Sequence, residues 1–413
     1  MNSVVKKVGL LITSFLLISV TEAQTLKGKM LTGKSAEEQF GRKVKLSANG
    51  KVLAIAAPFN RDSGEKKGRI AVYEFDGNEW MTMGSEIIPD QDYFDFGEMM
   101  DLSADGKRLM VAAPFEKIAV YDFDESQWKN SGTLIIDESS SDMISAISMT
   151  PDGRQLAVAY ETAKDGKYRA KAFRQSGQNW VADGSTMEPN GPERMYGNSI
   201  VISADGSTIV IGNEYAHAGN LKRAGQISTY KKENSNWVLQ ANRIMGEYAN
   251  GQIGAGLALS ADCKMLAASS TSIDLLERET GFVETYRAQD GKWVKLQPTL
   301  RPEKPHSYFG CAISISANGN WLAISMPYTG FGKPGLVRLY SLNMDQWKEM
   351  AIFRDIDGVE TTRPANNTTG WSIALSADGT TLAIGFPHND ENGELSGKVM
   401  VYNLTSLQPA TTN

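Results

Sequence analysis

One unit is written seven times along this chain. The clearest copy reads Phe-Gly-x-x-Val-x-Leu-Ser-Ala-Asn-Gly from Phe40 to Gly50. An apolar run over residues 53–58, a polar loop, a second run over residues 70–73 and Trp80 complete it. Phe96-Gly97, Tyr196-Gly197 and Phe309-Gly310 open further copies in the same order. A unit of roughly 55 residues with four short apolar stretches cannot bury those stretches alone, so copies must pack on one another in a ring or a stack.

The intervals within the copies define hairpins. Gly50, Gly106, Gly153, Gly206, Cys263, Gly319 and Gly379 share one column, and an Ala-Asp-Gly or Ala-Asn-Gly turn there joins a first strand, A, to a second, B. Strand B is apolar nearly throughout and is expected to be buried on both faces. Strand C alternates, as in Lys398-Val399-Met400-Val401-Tyr402. Tyr73, Tyr121, Phe173, Tyr230, Tyr286 and Tyr340 near its end are each followed seven residues later by Trp80, Trp128, Trp180, Trp237, Trp293 and Trp347, which introduce strand D. Recurrence in every copy gives these aromatics a packing role within and between blades.

The seventh copy stops soon after Tyr402, without its tryptophan or fourth strand. Four of six linkages place 17 residues between a tryptophan and the next Phe-Gly-type glycine, and the same count back from Gly41 reaches Gln24. Residues 25–31 then align with the strand that follows each tryptophan. The expected fold is all-β: a seven-bladed β-propeller with four antiparallel strands per blade, closed by the N-terminal strand pairing into the last blade.

Residues 1–23 read as a secretory signal peptide, with Lys6 and Lys7 ahead of an apolar run at 8–20 and a small residue, Ala23, at the junction. A run of 13 residues is short of the roughly 20 that a helical span needs, and no membrane span is expected in the mature chain. The expected organisation is a leader at 1–23, one propeller at 24–405 and a short tail at 406–413. The expected location is secreted, at the cell surface or extracellular, with the periplasm as the bacterial equivalent. A formal charge of −6 without a basic cluster argues against a nucleic-acid partner. Cys263 and Cys311 fall at opposite ends of neighbouring first strands and are expected as two free, buried thiols. A monomer is expected.

The copies also differ, and the differences are confined to certain loops. Length variation falls mainly in the B–C loops, with six extra residues in the D–A connection between Trp347 and Gly370. In an up-and-down blade these two loop types emerge on one side and the short A–B and C–D turns on the other. One face is therefore constant and the other variable, and variable loops on a rigid scaffold are where binding residues concentrate.

Phe40-Gly41, Phe96-Gly97 and Phe309-Gly310, with Ala56-Ala57-Pro58 and Ala112-Ala113-Pro114, resemble the FG-GAP repeats of integrin α-subunit propellers. The Leu-Ser-Ala-Asp-Gly core is similar to WD40-like propellers of exported proteins, and the whole pattern resembles secreted FG-GAP-like repeat proteins of bacteria and algae. The resemblance spans residues 24 to about 404 and implies a fold more than an activity. The calcium loop of the integrin repeats has no counterpart, since the A–B turn is only two or three residues long. Asp390, Glu391 and Glu394 in the last B–C loop are the remaining calcium candidates, set against an ordinary solvated acidic loop. No cofactor is expected.

Familiar catalytic signatures are missing. No His-Glu-x-x-His, Gly-x-Ser-x-Gly, phosphate loop or dinucleotide fingerprint occurs. The three histidines, His217, His306 and His388, are scattered over loops of the variable face. Asp90, Asp92, Asp95, Glu193 and Asp355 lie in D–A connections, where they suit a glycosidase-like pair or solvated loops. Aromatics outside the repeat register are more informative. Tyr93, Tyr308, Tyr328, Phe331 and Trp371 all belong to or border the variable face, as do Tyr215 and Tyr248. Rings there stack on sugars or anchor a protein. Asn366, Asn367 and Asn403 open Asn-x-Thr sequons and would accept glycans in a eukaryotic source.

The reading that follows is a secreted, adhesion-like binding module that is not an enzyme and recognises an extracellular protein or glycan through its B–C/D–A loop face. The alternatives are a carbohydrate-active hydrolase or lyase using loop carboxylates on that face, and a structural repeat scaffold.

Overall fold

The computed structural model describes residues 25–60, 68–89, 95–112, 117–134, 136, 142–188, 199–271, 280–303, 307–329, 334–355 and 368–408. Seven antiparallel sheets surround a central channel, each with its A strand innermost. Blade one shows the plan: Lys43–Leu46, Val52–Ala57, Arg69–Phe75 and Trp80–Thr82 pair in sequence order. Its B strand is buried at every position, as the unbroken apolar run requires.

The A–B turns repeat one hydrogen-bonding scheme. In blade one the Ser47 hydroxyl donates to Asn49 Oδ1 at 2.8 Å and accepts the Val52 N–H at 2.9 Å. Asn49 Oδ1 also accepts the Lys51 N–H at 3.0 Å. Ser103 with Asp105, Thr150 with Asp152, Ser203 with Asp205, Ser260 with Asp262, Ser316 with Asn318 and Ser376 with Asp378 do the same. The side chains thus saturate a tight turn whose last residue must turn left-handed. Cys263 takes the glycine's place in blade five and adopts φ 57° there.

Adjacent turns are also joined to one another. Ala48 N–H donates to Ala104 O at 2.9 Å, Ala104 to Pro151 O at 2.7 Å, Ala261 to Ala317 O at 2.9 Å, Ala317 to Ala377 O at 2.8 Å and Ala377 to Ala48 O at 2.9 Å. Pro151 has no N–H with which to pass the chain on to the fourth blade. The last of these links joins blade seven directly to blade one.

Among the described residues, five of the six repeat tryptophans tie their blade to the one before it in the ring. Trp128 Nε1 donates to Met83 O at 2.9 Å and Trp237 Nε1 to Asp183 O at 2.7 Å. Trp293 and Trp347 reach Thr229 Oγ1 and Thr285 Oγ1, both at 2.9 Å. Trp80 has no earlier blade in sequence. Its indole donates at 2.6 Å to Lys27 O, on the N-terminal segment.

That segment completes blade seven, which otherwise holds Ile373–Leu375, Thr381–Phe386 and Lys398–Asn403. Thr25–Leu26 and Leu31–Thr32 pair antiparallel with its outermost strand, with Thr25 opposite Asn403, Leu26 opposite Tyr402 and Leu31 opposite Val399. The Lys27 ammonium bonds Gly50 O at 2.7 Å and Thr381 Oγ1 at 2.9 Å, bridging the first and last blades. The outer strand of the ring therefore comes from the opposite end of the chain, as the missing tryptophan implied.

Two expectations need correction. The sequence predicts alternation in Lys398–Asn403, yet Lys398 through Tyr402 are all buried, because Val399 and Val401 pack on blade one and Met400 and Tyr402 on blade six. Lys398 is neutralised there by Asp355 at 2.7 Å. Cys263 and Cys311 are free, but half-buried rather than buried.

Glycine also serves a second purpose. Gly68, Gly225, Gly281 and Gly397 each precede strand C by one residue with positive φ. A Cβ on Gly281 would lie 2.1 Å from Phe309 O, and one on Gly397 would lie 2.2 Å from Phe40 O. The close approach lets the Phe-Gly pair of the next blade dock in parallel against this point, as Phe40 does on Gly397 and Phe309 on Gly281.

Deletion of residues 24–33 should lower the melting temperature of the whole propeller by more than about 5 °C in a single transition, because it exposes an edge and removes the seam to blade one. A melting curve that overlays the full-length one would contradict this closure.

Candidate binding site at the channel mouth

The A strands enclose a channel of about 510 Å³. Their inner edges present backbone N–H groups that no further strand can satisfy, and side chains of the preceding blade do so instead. Val44 N–H donates to Ser372 Oγ at 3.1 Å, Ile202 to Ser148 Oγ at 3.2 Å, Leu375 to Ser314 Oγ at 3.0 Å and Met149 to Asp101 Oδ2 at 2.8 Å.

Among the described residues, charge on the channel wall is confined to Lys43 and Lys45 of blade one and to Glu98 and Asp101, before and within the inner strand of blade two. Lys45 pairs with Asp101 at 2.9 Å, and Arg42 at the rim pairs with Glu98 at 2.5 Å. The Lys43 ammonium makes no hydrogen bond or ion pair among the described residues, although the backbone of Lys43 pairs with Ala56. Burial in the wall draws its ammonium below the usual lysine range, helped by Lys45 and opposed by Glu98 and Asp101.

The mouth above this wall is aromatic where blades six, seven and one meet. The Tyr308 and Tyr328 rings meet edge-on at 5.7 Å. Arg42 lays its guanidinium on Trp371, 4.3 Å from the ring centroid. Trp371 also packs on His388 at 5.9 Å, and His388 Nδ1 is 2.8 Å from Thr368 Oγ1. Burial, then the Arg42 charge, holds His388 down at about 4 against the pull of Asp390. The ring is thus neutral at pH 7. Burial pushes the Cys311 thiol beneath up to about 11, with Arg42 and Lys43 opposing. It raises Tyr328 as well.

Backbone geometry fixes part of this mouth. The residue before four of the Phe-Gly-type pairs is left-handed: Gln39, Asp95, Gln252 and Tyr308 have φ of 54°, 57°, 47° and 51°. The carbonyls of Gln39, Asp95 and Tyr308 each accept an N–H three residues on, from Arg42, Glu98 and Cys311, at 3.0 Å. A tyrosine is an uncommon occupant of this region. Tyr308 remains 36% exposed, so core packing does not explain the choice.

Three of the sequence-predicted aromatics, Tyr308, Tyr328 and Trp371, therefore come together, while Tyr93 and Phe331 lie outside the described residues. Tyr215 and Tyr248 are elsewhere, each covered by an arginine, Arg223 and Arg301. His217 Nδ1 accepts the Arg223 N–H at 3.0 Å within its own loop, and His306 is outside the described residues. Asp390 Oδ1 accepts the Leu395 N–H at 2.8 Å, and the Glu394 carbonyl accepts the Glu37 N–H at 2.6 Å. The loop that carries Asp390, Glu391 and Glu394 is thus engaged in gripping the N-terminal segment. Among the described residues no group of three or more His, Cys, Asp or Glu side chains is placed to hold a metal.

Of the acidic candidates, Asp355 is committed to Lys398. Asp95 is half-buried and its carboxyl is raised by burial and by Glu98. Asp90, Asp92 and Glu193 lie outside the described residues, as do Asn366 and Asn367. Asn403 is exposed, and its Oδ1 accepts the Thr405 N–H at 2.9 Å and hydroxyl at 2.6 Å. Sequence reasoning missed Arg42, Lys43 and His388 as members of the site. A signal existed, because Arg42-Lys43-Val44-Lys45 places three cations at and just before an inner strand that is apolar or small in most other copies.

A scan against protein-family models returns no match, and no curated protein matches the chain. Among solved structures, the chain is similar to the β-propeller domain of Cps50 (Swd1) from Myceliophteria thermophila. Identity is 13% and the TM-score 0.58, over 92% of this chain and 100% of that one. Similarity at that identity shows the β-propeller fold and carries no function with it.

The lowered His388 gives an acid sensitivity of definite sign. The unfolded chain binds a proton there at pH values where the native ring does not, so this contribution to stability is complete above about 6.5 and is lost as pH falls towards about 4. His388→Gln should therefore reduce the drop in unfolding free energy between pH 7 and pH 4.5 by something on the order of 1–2 kcal/mol. Identical drops for variant and wild type in denaturant titrations would contradict the assignment.

Proposed function

We propose that this protein is an exported, non-enzymatic binding module that recognises a protein or glycan at the cell surface or in extracellular matrix through the loop face around its channel mouth. The observation that carries the reading is the convergence of Tyr308, Tyr328 and Trp371 with Arg42 and His388 at the mouth. None of these rings is needed by the repeat. Aromatic and arginine side chains at the edge of a rigid cavity are the composition of binding hot spots. The resemblance to secreted FG-GAP-like repeat proteins and the leader-like residues 1–23 support the exported setting.

A glycan array and a panel of matrix proteins, probed with wild type and with Trp371→Ala and Tyr308→Ala, test this. Binding by wild type should weaken at least about 30-fold in Trp371→Ala at an unchanged melting temperature. Equal binding by both variants, or hydrolysis of an arrayed polymer, would overturn the reading.

A further inference from the structure

Hydrogen-bond donors and acceptors are unequally spent on the channel wall. Asp101 has both oxygens engaged, Oδ1 by the Lys45 ammonium and the Leu102 N–H and Oδ2 by the Met149 N–H. Glu98 is held by Arg42. Ser148, Ser314 and Ser372 each accept a backbone N–H through their oxygen, so each has its own O–H left to donate. Lys43 lines the same cavity with three N–H donors and no partner among the described residues. Lys43 and Ser372 occupy one register of neighbouring blades, seven residues before Gly50 and Gly379, and the Val44–Ser372 bond holds the two strands together there. The wall thus offers serine hydroxyls able to donate and an ammonium that has no hydrogen-bonded or ion-paired partner among the described residues.

We propose that the channel is a subsite for the carboxylate of an acidic sugar, bound by the Lys43 ammonium and the wall hydroxyls, with the pyranose ring reaching the aromatic mouth. The inference rests on the mouth being the binding face and names the class of ligand. A carboxylate pairs with the Lys43 ammonium and the wall hydroxyls, and the hydroxyls of a uronate both give and accept, which suits a wall that carries serine hydroxyls beside the backbone carbonyls of the inner strand edges. The volume of about 510 Å³ is in the range of small-ligand sites.

The test is calorimetric titration of the full propeller with D-glucuronate, D-glucose and acetyl-alanyl-alanine, using wild type, Lys43→Met and Lys43→Arg. Methionine keeps the unbranched apolar stem and removes the charge. Glucuronate should bind wild type at least tenfold more tightly than glucose does. Lys43→Met should lose at least tenfold of that affinity at an unchanged melting temperature, and Lys43→Arg should recover part of it. Equal glucuronate affinity for wild type and Lys43→Met would overturn the proposal, as would no saturable glucuronate binding by wild type. Preference for acetyl-alanyl-alanine, lost in Lys43→Met, would overturn the sugar in favour of a peptide carboxylate. If array binding depends on Trp371 while glucuronate fails to bind, the channel subsite falls and the mouth reading stands. If glucuronate binds through Lys43 but no array ligand depends on Trp371, the reverse holds.

Discussion

A four-stranded blade has two apolar faces, and only its neighbours in the ring can cover them; everything else in this molecule depends on that blade-to-blade seam. Three kinds of contact build it. Apolar side chains interdigitate, as Ile70 and Val72 of blade one do with Met100 and Val111 of blade two. An indole N–H reaches back to the preceding blade in five of the six tryptophan-bearing copies, counted over the described residues. Backbone bonds run from turn to turn. Burial supplies most of the stabilisation, at about 25 cal/mol per Å² of apolar surface. The hydrogen bonds add little net energy each but fix the register, since an unmade one would leave a buried donor unsatisfied.

The seam explains why the two faces of the ring differ. Turn-to-turn bonds and the Ser/Thr–Asp/Asn side-chain bonds occupy the A–B side and leave its geometry little latitude. On the opposite side the B–C and D–A loops share only the Phe-Gly docking points, so their lengths and contents are free to vary. Chemistry that the fold does not require collects there: a left-handed tyrosine, an arginine stacked on a tryptophan, a neutral histidine. Below them the inner-strand N–H groups are met by hydroxyl and carboxylate oxygens of the preceding blade, which leaves serine hydroxyls and Lys43 on the channel wall.

Much of this was legible in the sequence because hairpins fix intervals. The constant spacing from Tyr73 to Trp80 and its five counterparts located strands C and D, and the missing seventh tryptophan located the closing strand at residues 25–31. Tyr308, Tyr328 and Trp371 stood out by falling outside the repeat register. What stayed hidden depends on phase and on contacts between distant blades. Whether Lys43 faces the channel depends on which side of a four-residue strand turns inward. The burial of Lys398 depends on Asp355, supplied by the preceding D–A connection, and on covering by a strand from the other end of the chain. The glycines before strand C, Gly68, Gly225, Gly281 and Gly397, pass unnoticed in the sequence, because their purpose appears only when the next blade docks on them.

Closure across blades seven and one, where a single blade is built from both ends of the chain, is the central claim. Native-state hydrogen exchange measured residue by residue tests it most directly. The Lys27 N–H on Val401 O and the Ala377 N–H on Ala48 O should exchange only through global unfolding, with the same free energy as the Ala104 N–H at an ordinary seam. Exchange of Lys27 and Ala377 at a distinctly lower free energy than Ala104 would mean that this seam opens by itself, and would contradict a ring whose closing seam is as stable as its others.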